Sequence, residues 1–257
     1  MTNTPHSQTI QAPAVPRTIA LVGRGRVGTA LARALGDAGL RVLGPLGPGE
    51  PPTADAVLLC VPDDSIPVAA AAAKGAARLV GHTSGATPLS ALIPAGGEAF
   101  GLHPLQTFSG ENHVPLHGCG CAVAGSTPGA LGAASGLADL LGMRPFAISD
   151  AERPAYHAAA SIASNFLVTL AGAAERVAAG AGLSGTEARS LLAPLVRTTV
   201  DNWATQGPER ALTGPVARGD EHTVSAQREA VAEAAPELLG LFDALVERTR
   251  DLAAVTA

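Results

Sequence analysis

Short apolar runs alternate with helical stretches through the first 150 residues, and then the alternation stops. The runs at 19–22, 41–43, 56–61, 79–82, 100–103, 119–124 and 145–148 have the length and the Gly, Pro, Asp or Ser flanks of strands. After the first run, Val27, Leu31, Ala34, Leu35 and Ala38 recur at helical spacing and Gly39 supplies a stop. Residues 65–77 and 128–141 read as two further helices. Strands alternating with helices predict a parallel sheet covered on both faces. From Asp150 onward the pattern is helical only, over 156–179, 186–204, 223–234 and 236–254. The expected organisation is an α/β domain over 18–150 and an all-helical domain over 151–257, after a loose polar tail over 1–17.

The first apolar run breaks into Gly23-Arg24-Gly25-Arg26-Val27-Gly28. A strand followed by GxGxxG and a helix is how a βα unit offers a helix N-terminus to a pyrophosphate. Gly23 allows the tight turn, Gly25 lets the backbone approach the phosphates, and Gly28 lets helix and strand pack closely. Backbone N–H groups and the helix dipole then favour the anion. This makes the α/β part a Rossmann-type, doubly wound domain, with Val61 and Pro62 at the end of the third strand beside the cofactor. The run after Leu43, with Pro45 and Pro48, cannot form a crossover helix, so a loop is expected to join the second and third strands. NAD enzymes usually place an acidic residue at the end of the second strand. Here Gly44 and Pro45 stand there and the first acid is Glu50, which favours NADP over NAD, with Arg24 and Arg26 to supply positive charge.

Composition narrows the classes. The chain is 47% hydrophobic and only 15% charged, with a net charge of −5 and no basic stripe, so no nucleic-acid partner is expected. Cys60, Cys119 and Cys121 make no disulfide framework; reduced, buried thiols fit a cytoplasmic location. No second pair accompanies Cys119 and Cys121, and no histidine spacing suits a metal, so none is expected. The stretch 154–174 carries no charge, yet alanine, serine, asparagine and histidine suit a buried helix better than a membrane span. The helix expected over 156–179 is too apolar for a monomer's surface, and the helical domain alone is too thin to bury it, which predicts a homodimer.

Further motifs are Val-Pro-Asp-Asp-Ser-Ile at 61–66, His-Thr-Ser-Gly-Ala at 82–86 and Gly-Leu-His-Pro-Leu-Gln-Thr-Phe at 101–108. Tyr-His-Ala-Ala-Ala at 156–160, Ser-Asn-Phe at 164–166 and Leu-Thr-Gly-Pro-Val-Ala-Arg-Gly-Asp at 212–220 follow. With these the chain resembles a bacterial family that joins a Rossmann-like domain to a C-terminal helical domain of uncharacterised function. That family is related to the 6-phosphogluconate dehydrogenase-like, β-hydroxyacid dehydrogenase and ketopantoate reductase-type oxidoreductases. The resemblance implies an NADP-dependent oxidoreductase, dimeric through its helical domain. Its substrate would be a small 2-oxo acid such as ketopantoate, or an imine, bound between the domains. In the β-hydroxyacid dehydrogenases a lysine on the first interdomain helix donates the proton, and an asparagine one turn later holds the substrate. Asn165 matches the asparagine. The lysine has no counterpart, because Lys74 is the one lysine of the chain and lies in the α/β half.

The residues themselves offer other donors. His157, Ser161 and Asn165 recur every four positions on one helical face, and buried polar groups need partners. We read His157 as the proton donor, with Ser161 and Asn165 toward the substrate; the alternative is a polar seam that fixes helix packing or a dimer contact. His103 ends one strand, and His82, Thr83 and Ser84 end the one before it; ligands of open α/β sheets bind at such ends. Thr83 and Ser84 are expected beside the nicotinamide, Ser84 and Arg218 on the substrate, and His103 in catalysis. Asp63 or Asp64 reads as the cap of the next helix, and Arg218 alternatively pairs with Asp220. A dinucleotide-binding sensor or complex subunit without turnover, or a reductase with a deazaflavin partner, fits the same motifs.

Overall fold

A computed structural model describes residues 15–49, 53–110 and 114–255, so Glu50, His6 and His113 lie outside the described residues. The chain forms two compact units that divide between Ser161 and Ile162. The first is built on one seven-stranded sheet: β1 (Thr18–Val22), β2 (Arg41–Leu46), β3 (Ala56–Leu59), β4 (Leu79–His82), β5 (Glu98–Pro104), β6 (Gly120–Gly125) and β7 (Arg144–Ala147). Their order is β2-β1-β3-β4-β5-β6-β7. Because the chain steps from β1 outward to β2 and then back to β3 on the other side, the fold reverses at the β1/β3 junction. Such a switch point is where open α/β sheets bind ligands.

The first five strands pair in parallel. The expectation of an all-parallel sheet is corrected at the sixth: β6 runs antiparallel to β5, with His103 opposite Ala122, and β7 is parallel to β6. No helix occurs among the described residues between β5 and β6. A chain that turns back without a crossover can only lie antiparallel to the strand it left.

Helices α1 (Arg26–Asp37), α2 (Ile66–Ala72) and α3 (Pro128–Leu140) complete the layers. Alternate residues of the buried strands feed two cores. Ile19, Leu21, Leu58, Phe100 and Leu102 meet Leu31 and Leu35 of α1 and Leu137 of α3 on one face. Ala20, Val22, Val57, Leu59 and Val80 meet Ile66 and Ala70 of α2 on the other. Strands covered on both faces read as continuous apolar runs rather than alternating ones, as these do. The helix expected over 65–77 stops at Ala72, and Gly75 follows with φ +71°. A short 3₁₀ segment (Leu89–Ala95) that the pattern did not reveal packs Leu92 and Ala95 under β4 and β5. As expected, no helix joins β2 to β3 among the described residues, although β2 runs on to Leu46. The two outermost strands each carry a proline, Pro45 and Pro145, and begin at an exposed arginine, Arg41 and Arg144.

Helix α4 (Arg153–Ser161) belongs to the first unit, and a π turn (Ile162–Phe166) leads from it into the second. That unit contains α5 (Leu167–Ala178), α6 (Gly185–Gln206), α7 (Pro208–Ala211), α8 (Glu221–Ala234) and α9 (Leu239–Ala254). Ser184 caps α6 and Asp220 caps α8 through their side chains. Among its described residues only Ala188, Val224, Val231, Ala235 and Val246 are buried, while Ile162, Val168, Leu191 and Leu195 are at least 60% exposed. The helical run Arg153–Ala181 is long and apolar enough by composition to cross a membrane, with a mean hydropathy of 1.2 over its best window. Its polar His157, Ser161 and Asn165 are what a spanning helix avoids.

Candidate functional site

The glycine loop takes the shape its spacing predicts. Gly23 has φ +122°, and a Cβ there would stand 2.2 Å from the Cys60 carbonyl oxygen of the adjoining strand end. Gly28 is equally constrained, its missing Cβ lying 2.0 Å from the Gly23 oxygen. Gly25 is different: it caps α1, and a Cβ on it would meet nothing within 4 Å. The first turn of α1 holds no acidic side chain and no capping side chain, so no side-chain cap takes up its N–H groups. Beside it lies a cavity of about 500 Å³ at the β1/β3 switch point. Gly23, Arg24, Gly25, Val61 and Pro62 line it, with Pro48 and Gly49 beyond β2 and the small residues Ala69 and Ala72 of α2. Arg24 Nε reaches to 3.5 Å from the Pro45 carbonyl. Of the other expected cofactor residues, Val27 packs into the core, because the second position of α1 turns inward, and Arg26 lays its stem by Gly110. The Cys60 thiol, pushed up to about 12 by burial, is inert beneath the loop.

A second group gathers at the carboxyl ends of β3, β4 and β5. Thr83 is half-buried, its N–H bonded to the Leu59 carbonyl at 3.1 Å. Ser84 is buried and its hydroxyl is committed to protein: it donates to Asp63 at 2.8 Å, lies 3.0 Å from the Thr87 hydroxyl, and accepts from the N–H groups of Ala86 and Thr87. Asp63 is thus a partner for Ser84 and not the helix cap expected of it; α2 has no side-chain cap. The Ser84 N–H also donates to His82 Nδ1 at 3.2 Å, which leaves the proton of a neutral His82 on Nε2. That Nε2 is sealed from solvent with no hydrogen-bond partner among the described residues.

His103 stands at the end of β5, half-buried. The Tyr156 hydroxyl lies 2.5 Å from its Nδ1, and the rings meet edge to face. The exposed His157 follows, its ring centroid 6.2 Å from that of His103. Both imidazoles close on Gly85, where a Cβ would stand 2.9 Å from His103 Nε2 and 2.9 Å from His157 Cδ2. Beneath them Arg153, 2% exposed, pairs with Asp150 at 2.7 Å and reaches the Ser84 carbonyl at 3.3 Å. Asp150 also accepts the Leu89 N–H, so one buried guanidinium and its partner tie the β7–α4 connection to both ends of the stretch after β4.

Burial holds His82 and His103 down at about 4; the Arg153 charge adds to the effect on both, and the neighbouring His157 adds to it on His103. The unfolded chain takes up protons on both rings near the ordinary value of 6.5, whereas the folded chain resists until about 4. Each step of acidification within that window therefore favours unfolding. Urea denaturation at pH 7 and pH 5 is expected to show a lower midpoint at pH 5, and His82→Phe should reduce the difference.

Sequence reading did not find Tyr156, Arg153 or Asp150 as parts of this group. Tyr156 is the single tyrosine of the chain and precedes His157, which was the one available signal. In the second unit, Asn165 lies exposed in the π turn, its carbonyl accepting from Thr169. Arg218 is exposed, and Asp220, its suggested partner, instead bonds Thr223 at 2.7 Å and 3.1 Å. Ser161 is half-buried at the end of α4.

The sequence signature of a domain of unknown function, DUF2520, matches residues 119–249, half of the chain. The chain belongs to the DUF2520 family. No curated protein sequence matches it. This DUF2520 member shares its fold with a Bacteroides fragilis protein provisionally named an NADP oxidoreductase, at 21% identity and a TM-score of 0.78 over 91% of this chain and 98% of that one. It is similar also to a Thermotoga maritima protein, at 24% identity and a TM-score of 0.74 over 92% and 98% of the two chains. A Plasmodium falciparum pyrroline carboxylate reductase with NADP bound aligns at 11% identity and a TM-score of 0.59 over 92% and 98%. The DUF2520 match begins just before β6, so the glycine loop and the ends of β3 to β5 lie outside it.

Proposed function

We propose that the chain is an NADP-dependent oxidoreductase that reduces a small 2-oxo acid or an imine. The observation that carries this is Gly25: at the N-terminus of α1, at the switch point of the sheet, the backbone leaves open the one place where a pyrophosphate would sit. The adjoining cavity, floored by small residues of α2, suits a flat purine with its ribose. NADPH, when bound, would supply a hydride. NADP rather than NAD is supported by the end of β2, where Leu46, Gly47, Pro48 and Gly49 present no carboxylate and Arg24 stands by. The likeness to proteins named for NADP chemistry points the same way.

His103, near the end of β5, and His157, midway along α4, supply the proton side of the reaction, a role for which lysine is absent: Lys74 is exposed beyond the end of α2. Parallel calorimetric titrations with NADPH and NADH test the reading. Tight NADPH and weak NADH binding are expected; no binding of either overturns it in favour of an architectural glycine loop.

The helical unit is proposed to pair with a second copy. Trp203 and Phe166 are each 55% exposed, beside the more exposed Val168, Leu191 and Leu195, on a unit that buries little of its own. Light scattering at micromolar concentration is expected to return twice the chain mass, and a monomer contradicts the pairing.

A further inference from the structure

We propose that His103 is the residue that meets the substrate, presented as a neutral Nε2–H donor because Tyr156 occupies its Nδ1, and that the site therefore accepts a neutral carbonyl oxygen and disfavours a preformed iminium cation. The inference rests on the reductase reading and narrows it.

The geometry fixes the tautomer. A phenol keeps its proton at neutral pH, and burial pushes that of Tyr156 higher still. Among the described residues that hydroxyl has no acceptor other than Nδ1, 2.5 Å away, so we assign its proton to that contact, and the neutral ring then carries its own proton on Nε2. That Nε2 has no hydrogen-bond partner among the described residues and, unlike Nε2 of His82, is not sealed from solvent. Gly85 lets the imidazole settle against the backbone, where any side chain would push it away. Arg153 and His157 both oppose a second proton on the ring, while Asp63 favours one less strongly. A neutral imidazole of this kind is an electrophile for a carbonyl oxygen.

With NADPH bound, a hydride would be supplied to the carbonyl carbon, leaving oxidised nicotinamide, and the π pair of C=O would become an oxygen lone pair. The Nε2 proton moves to that oxygen as the Tyr156 proton moves to Nδ1. The products are an alcohol, a neutral imidazole and a Tyr156 phenolate, which water reprotonates. An alkoxide is a stronger base than a phenolate, so the transfer runs downhill. An iminium nitrogen has no lone pair to accept Nε2–H and needs no proton after reduction. Tyr156 acts through His103 and is a positioning residue; His157 shapes the charge around the pair.

Long-range ¹H–¹⁵N correlation spectra of the labelled protein at pH 7 read the tautomer without turnover. His103 is expected as Nε2–H, and Tyr156→Phe should convert it to a tautomeric mixture. With NADP⁺ present, 2-oxobutanoate is expected to shift the Nε2 resonance and N-methyl-1-pyrrolinium to leave it in place. In NADPH oxidation with 2-oxobutanoate, Tyr156→Phe should lower kcat about 10-fold or more with KM little changed. His103→Gln, which keeps an N–H donor, should retain more activity than His103→Leu. A wild-type ring found as Nδ1–H or charged, a tautomer indifferent to Tyr156→Phe, or a shift with the pyrrolinium alone overturns the proposal. Absence of dinucleotide binding in calorimetry defeats the reductase reading, and with it the substrate preference, whatever the tautomer.

Discussion

Gly25→Val is expected to abolish dinucleotide binding while the fold survives. A Cβ at this position meets no protein atom within 4 Å, and its φ of −76° is open to any residue. The valine side chain would therefore enter the space in front of α1 and block the backbone's approach to a pyrophosphate. We expect the Kd for NADPH to rise about 100-fold or more, equivalent to about 2.8 kcal/mol. Gly28→Ala is the contrasting change: its Cβ would lie 2.0 Å from the Gly23 oxygen, so it should disturb the helix–strand packing and lower the melting temperature. Calorimetry and thermal melting of the two variants separate the ligand's need for space from the fold's. Undiminished NADPH binding by Gly25→Val removes the loop from the site.

Asp150→Ala is expected to destabilise the first unit by about 3–5 kcal/mol, because it leaves a buried cation without its counter-ion. The Arg153 side chain is 3% exposed and that of Asp150 40% exposed, so the two partners are not equivalent. Removing the carboxylate also deprives the Leu89 N–H of its acceptor. Removing the arginine instead, by Arg153→Met, strands only a carboxylate that water can reach and refills part of the volume. Its cost should be less than half as large. Urea unfolding of both variants measures this; equal costs would mean that packing, rather than an uncompensated charge, holds the two connections together.

The parts legible in the sequence are those with short-range signals. Continuous apolar runs marked the strands, since strands buried on both faces have no polar side to show. The glycine spacing marked the turn between β1 and α1 because Gly23 and Gly28 are each demanded by a contact of the backbone. What stayed hidden depends on which segments meet. The β5–β6 reversal follows from a connection without a helix, and nothing in the β6 sequence announces its direction. Asp63 looked like a cap from its position before α2, but its carboxylate goes to Ser84, 21 residues on. Tyr156 lies 53 residues from His103, and no local spacing links them. Histidines could be chosen by residue type; the groups that hold them could be chosen only by geometry.

The prolines at the two rims of the sheet bear on how the molecule associates. A proline has no N–H to offer an incoming strand, and an exposed arginine on the same strand disfavours a close backbone neighbour. Pro45 with Arg41 guards one rim and Pro145 with Arg144 the other. Lateral growth by strand addition is thereby discouraged at both ends of a sheet that is otherwise rich in apolar, β-prone sequence. Contact between copies is steered toward helical surfaces, and a partly unfolded first unit has few free edges from which fibrous aggregation could be seeded.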